Sequence, residues 1–210
     1  MRRMPHPSEP RLLVLHALRL KGAAPTAVVA RLYGLDEELV AKELDREQRH
    51  GAVRHREGAI TGWSLTAEGR AAAAALVVTE LDRAGARALV EDAYADFVRL
   101  NQPTLGACAR WQLRDGSLNR HDDAAYDASV VDDLAELCRR SAEVTVPVAR
   151  ALERFAGYGP RLANAVAKIR DGDGEWFTKP VLDSYHTVWF ELHEDLLATL
   201  GRERASEAHG

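Results

Sequence analysis

Along residues 11–65 the apolar positions recur first at helical and then at strand-like spacing. Leu12, Leu15, Ala17, Leu18 and Leu20, with Leu13 and Val14 between them, make a broad helical stripe over Arg11–Leu20. Pro10 suits a first turn and Gly22 a stop. A second helix is predicted from Thr26, read as its N-cap, through Val28, Val29 and Leu32 to Gly34. A third follows an Asp36 cap, with Glu37 and Glu38 against the positive end of the helix dipole and Val40 and Leu44 inward, and ends at Gly51. The pattern then predicts a ribbon: Ala52–His55, a turn at Glu57-Gly58, and Ile60–Leu65. Thr66 caps the next helix, and Gly69 leaves room for a close backbone approach.

Beyond the ribbon the pattern is helical almost throughout. Thr66–Ala84 is an alanine-rich helix stopped by Gly85, and Arg87–Leu100 is amphipathic through Leu89, Val90, Ala93, Tyr94, Phe97 and Leu100. Pro103 is read as opening a separate helix over Thr104–Leu113, and Arg114–Asp122 as a polar loop turning at Asp115-Gly116. Asp122 or Asp123 caps a helix carrying Tyr126, Val130, Leu134, Leu137 and Cys138, which Pro147 kinks or restarts, with Thr145 as the new cap. Gly157–Pro160 reads as a break before Arg161–Arg170, and a last helix is predicted from about Asp183 to Leu200. Met1–Glu9 and Arg202–Gly210 read as a flexible arm and a frayed tail. The expectation is a mainly α protein: a winged helix-turn-helix amino-terminal domain with its linker helix over residues 1–84, then an all-helical bundle over residues 85–210.

The ending Leu65-Thr66-x-x-Gly69, after three short helices and a ribbon, resembles the wing-to-helix junction of MarR-like winged-helix regulators over about a third of the chain. That resemblance implies DNA binding, with the helices after the wing building a homodimer interface. A second resemblance rests on Val14–Gly22 together with Gly62-Trp63-Ser64-Leu65-Thr66. These segments are similar to a module attached to some actinobacterial phosphoenolpyruvate-utilising, dikinase-type enzymes. The sequence holds no phosphate-accepting histidine motif and no nucleotide-grasp region, so the likeness implies at most a shared accessory module.

Charge sharpens the choice. The chain carries a formal net charge of −4, but residues 1–69 hold 11 lysines and arginines against 9 acids, and residues 70–210 hold 17 against 23. A slightly basic head on an acidic body fits a DNA-facing module. Candidate contacts are Arg54, His55 and Arg56 at the ribbon tip, with Arg31, Lys42, Arg46 and Arg49 behind them. Against this, the outward face of the third helix holds Glu38, Lys42, Asp45 and Arg49, two i,i+4 pairs with the acid first, which is the orientation that favours self-pairing.

In the helical part, His186, Phe190, His193 and Leu197 share one helical stripe flanked by Tyr185 and Trp189. With Trp111 these residues are candidates for a small-molecule effector cavity; a core stripe with hydrogen-bonded histidines is the alternative. His186 and His193 lie seven apart with no His-Glu-x-x-His arrangement, and the run from Asp171 has Trp176 and Leu182 where a calcium loop needs glycine and glutamate. Without a nucleophile elbow, a phosphate loop or a dinucleotide fingerprint, no catalysis, metal or cofactor is expected. Cys108 and Cys138 read as buried free thiols. With no signal peptide and no membrane span, the sequence predicts a cytoplasmic protein. The leading reading is a DNA-binding transcriptional regulator under small-molecule control. The alternative is an interaction module that kept the fold, lost groove reading, and partners a metabolic enzyme such as the dikinase type.

Overall fold

The computed structural model describes residues 4–58 and 61–202. Among them are eight α-helices and a small antiparallel sheet. Helix α1 (Pro10–Lys21) begins on Pro10 and stops at Gly22, whose φ of 74° only glycine adopts freely. Strand β1 (Ala23–Ala24), α2 (Thr26–Tyr33) and α3 (Glu37–Arg49) follow. Asp36 caps α3 by accepting from the Leu39 amide at 2.9 Å. Thr26 is not the cap of α2: Pro25 holds that position, and Thr26 Oγ1 accepts from Trp63 Nε1 at 3.2 Å.

Strands β2 (Val53–Arg56) and β3 (Gly62–Leu65) form the hairpin, and β3 lies in the middle of the order β1-β3-β2. Ile60, predicted to begin the returning strand, lies outside the described residues. Helix α4 (Ala67–Ala84) is capped by Thr66, which accepts from the Gly69 amide at 3.1 Å. A Cβ on Gly69 would sit 1.9 Å from the Ala52 carbonyl oxygen, so the close approach read from the sequence is real.

Four long helices build the rest: α5 (Arg87–Gln112), α6 (Ala124–Ala151), α7 (Tyr158–Arg170) and α8 (Tyr185–Leu200). Neither proline breaks its helix as expected. Pro103 lies inside α5 and Pro147 inside α6. Each proline deprives a residue four back, Arg99 and Glu143, of a helix donor, and both of those residues are exposed, so water can serve the carbonyl. Buried residues on both sides of each proline, Phe97 and Leu100 against Thr104 and Ala107, Val144 against Val148, hold both halves to the core. Thr145 is therefore mid-helix and bonds back to the Ser141 carbonyl at 3.1 Å. The expected break near Gly157 is a 3-10 turn over Glu153–Gly157, from which α7 starts at Tyr158, with Pro160 in its first turn.

The expected polar loop contains a hairpin of its own, β4 (Leu113–Arg114) on β5 (Ser117–Leu118). Its turn residues Asp115 and Gly116 have φ of 51° and 77°, as a two-residue type I′ turn requires. The arm is docked rather than loose in its described part: the His6 amide donates to the Ala151 carbonyl at 2.9 Å, and the Glu153 amide donates to the His6 carbonyl at 3.1 Å. Residues 1–3 of that arm and 203–210 of the tail lie outside the described residues.

Two cores result. One joins Val14, Leu15, Leu18, Val29, Val40, Leu44, Val53 and Leu65 with Ala73 of α4; the other runs from Leu81 through α5–α8. Helix α4 serves both, and α1 also packs on α8. Cys108 is buried, Cys138 is half-buried, and neither forms a disulfide. Among the described residues no helix is long and apolar enough to cross a membrane.

Candidate nucleic-acid interface

Strand alternation decides what the hairpin presents. Val53 points into the core, so Arg54 and Arg56 share the opposite face, and both are exposed. His55 returns to the inner side, edge-on to Trp63 with ring centroids 5.0 Å apart. The three tip residues thus divide, with two arginines outward and one histidine held by an aromatic ring. Neither Arg54 nor Arg56 has a carboxylate at ion-pair distance among the described residues. Arg31, exposed on α2, is free in the same sense.

Helix α3 presents a different surface. Lys42 pairs with Glu38 at 2.7 Å, and Arg46 pairs with Glu43 at 3.8 Å. The expected Asp45–Arg49 pair does not close among the described residues; Arg49 stands exposed in the last turn. The inner face holds a residue the hydrophobic pattern passed over. Glu47 is fully buried and takes a two-pronged contact from Arg11, Nε to Oε1 and Nη2 to Oε2, each 3.0 Å. That fork ties α3 to α1 and makes an acid part of the helix's inward stripe.

The effector candidates separate into three environments. Tyr185 and Trp189 are core. Trp189 stacks on Phe97 with centroids 4.5 Å apart and donates from Nε1 to Asn101 Oδ1 at 2.9 Å. Burial raises the Tyr185 phenol well above its ordinary value. Trp111 stacks instead on Phe177 (4.7 Å) and meets the tilted ring of His121 (4.4 Å) at the far end of α5. His186 and His193, with Asn101, Leu105, Trp189 and Phe190, line a depression of about 150 Å³. That is well below the ~300 Å³ at which pockets usually begin to enclose ligands. Burial lowers the His186 pKa, so it faces this depression as a neutral ring.

The largest polar construction is one the sequence did not announce. It lies where α1 meets α4, α8 and the 3-10 turn. Arg154 is fully buried and donates from Nε to Glu80 Oε2 at 2.7 Å, from Nη2 to Thr199 Oγ1 at 2.6 Å, and from Nη1 to Asp195 Oδ1. Tyr158 Oη donates to Asp195 Oδ2 at 2.8 Å, and His16 Nε2 lies 2.9 Å from Oδ1. Burial lowers the His16 pKa despite the Asp195 carboxylate, so its ring is neutral and donates from Nε2–H; its Nδ1 is buried and unpartnered. Burial alone would raise the Asp195 carboxyl, but Arg154 and His16 hold it well below the usual range. Beside this set, Lys21 meets Glu191, and Arg161 reaches Glu191 at 2.7 Å and Asp183 at 3.0 Å. The sequence clue is charge inside apolar spacing: His16 within a leucine run, Glu80 beside Leu81, and Asp195 and Thr199 four apart among leucines. Spacing cannot name partners 41 to 179 residues away.

No group of acids, histidines and cysteines able to hold a metal ion occurs among the described residues. No family model, curated protein or solved structure matches the chain, so the arrangement of the hairpin and its surroundings carries the functional reading.

Proposed function

We propose that the chain is a DNA-binding transcriptional regulator whose residues 1–84 form a winged-helix domain of MarR-like type with its linker helix, acting as a homodimer. The observation that carries this reading is the exposed Arg54 and Arg56 on one face of the β2–β3 hairpin, neither of them paired with a carboxylate among the described residues. The order α1-β1-α2-α3-β2-β3, with β3 central, supports the same reading. In it the hairpin is the wing, and its guanidiniums meet phosphate oxygens or the minor groove. Arg31 and Arg49 add backbone contacts. The contribution of α3 is small, because its two paired cations are already neutralised by Glu38 and Glu43. The wing then supplies affinity more than sequence readout.

The test is a salt-titrated binding assay on the duplex upstream of the protein's own coding region. The wild type binds at about 50 mM salt, and Arg54→Ala with Arg56→Ala lowers the slope of log K against log salt by about 2, one for each phosphate that no longer meets an arginine. A wild type without duplex affinity at that salt overturns the reading. The self-paired face of α3 favours a second reading, a winged-helix interaction module that does not bind DNA and partners a metabolic enzyme such as a dikinase type. Under that reading the two arginine substitutions leave duplex retention at background and change only capture of the enzyme.

A further inference from the structure

We propose that the recess between α1, α4 and α8 is a binding site for a small anion, of which a phosphate monoester is the fitting class. It is lined by Leu18, Arg19, Leu65, Arg70, Glu194 and Arg202 and has a volume of about 550 Å³. That lies within the range that encloses a metabolite-sized ligand. Its walls come from both cores: Arg19 from α1, Arg70 from the first turn of α4, and Glu194 and Arg202 from α8 and its end.

The charges decide the ligand. Three guanidiniums line the recess, but Arg202 is already paired with Glu91, so Arg19 and Arg70 carry the positive charge that a phosphate monoester meets, with Glu194 the one acid in the lining. Arg19 has no carboxylate partner among the described residues. Arg70 uses one donor on the Leu65 carbonyl at 3.2 Å, which ties its guanidinium at the recess and leaves other N–H groups unspent. Arg202 is shared, at 3.7 Å from Glu91 and over the Tyr94 ring at 5.4 Å, so it closes one side rather than making the central contact. The apolar part of the lining, Leu18, Leu65 and Ala74, suits the carbon skeleton of an ester better than a bare ion. A recess between packed helices also favours a compact anion over the rounded backbone of a duplex. Because the ligand touches α1, α4 and α8 together, it would brace the hairpin-bearing module against the bundle. Only that last consequence rests on the DNA-binding reading; the site does not.

Calorimetry with glycerol 3-phosphate as probe tests the site, with succinate, inorganic phosphate and glycerol as the other arms. The expected result is saturable 1:1 binding of the monoester and none of glycerol. Arg19→Gln with Arg70→Gln weakens it about tenfold or more, and Arg139→Gln, on an exposed face of α6, leaves it unchanged. Circular dichroism establishes that the double variant is folded. Binding of succinate as tight as the monoester overturns the phosphate assignment, and absence of binding, or binding unaffected in the folded double variant, overturns the site. Loss of duplex affinity in that variant without any monoester binding by the wild type makes the recess a nucleic-acid contact and also overturns the proposal. Failure of the duplex assay alone overturns the regulator reading and leaves the anion site standing.

Discussion

Arg154 shows what a single buried charge commits its neighbours to. Its guanidinium satisfies Glu80, Asp195 and Thr199 at once, and burial leaves none of the three with water as a substitute. Replacing Arg154 by Met strands two carboxylates in the interior and is expected to cost about 3–5 kcal/mol in urea unfolding. Adding Glu80→Gln and Asp195→Asn returns part of that loss, because the stranded charges are then gone. His16 gives the same cluster a pH dependence. Its folded pKa lies below the ordinary histidine value of 6.5, so the unfolded chain binds the extra proton. The stability it contributes is fully present above 6.5 and is lost as pH falls from 6.5 through the lowered folded value. The lowered pKa of His186 acts with the same sign. The stability difference between the wild type and His16→Gln is therefore expected to shrink between pH 7 and pH 5, as read from thermal melts at stepped pH. Asp195 acts lower on the scale: its depressed pKa contributes above the ordinary carboxylate value and is lost as pH falls through the folded one. Cys108, pushed up to about 12 by burial, stays a thiol throughout this range.

At the scale of elements, the junction between hairpin and α4 is the most tightly constrained joint. Thr66 caps α4 and also donates to the Gly51 carbonyl at 2.7 Å, while its amide donates to the Ala52 carbonyl at 3.0 Å. Gly69 lets that strand pass within contact of the helix backbone. Gly69→Ala drives a methyl into the Ala52 peptide, which no rotamer can relieve. The expected loss is about 1–3 kcal/mol or more, with the β2–β3 hairpin loosening first, as read by hydrogen exchange at Val53–Leu65. A wild-type exchange pattern in that variant would show that the joint yields more easily than its geometry implies. The long helices behave in the opposite way. In α5 and α6 the proline is accommodated, because its missing bond falls where the carbonyl can meet water while packing holds both halves.

Across the whole molecule, two hydrophobic cores meet through α4 and through the polar cluster around Arg154 and Glu191. Hydrophobic contact is tolerant of sliding, whereas the directional bonds of Arg154, Tyr158 and Arg161 are not, so the cluster specifies how the hairpin-bearing module sits on the bundle. The net charge of −4 repels a duplex at long range. Under the proposed regulator reading, duplex binding through the hairpin is therefore local and screened: affinity falls as salt rises and carries little sequence preference. The anion recess lies where both cores contribute walls, so its occupancy is the natural point at which a small molecule would stiffen the joint.

What the order of residues determined was everything set by neighbours along the chain. The stripes of α1–α3, the caps at Asp36 and Thr66, the glycine stops and the Asp115-Gly116 turn rest on contacts within a few residues, where periodicity and side-chain type are sufficient. The shared outward face of Arg54 and Arg56 follows from strand alternation once Val53 is placed inside. Tertiary structure alone decided the continuity of α5 and α6 through their prolines, the separation of Trp111 from the histidines expected to line one cavity with it, and the docking of His6. It alone also assembled His16, Glu80, Arg154 and Asp195, and brought Arg19 and Arg70 to one recess. The physical reason is the same in each case: the partner that satisfies a buried charge, or the wall that completes a cavity, is brought in from a distant segment. A one-dimensional pattern records that a polar residue sits at an inward position but not what will be there to meet it.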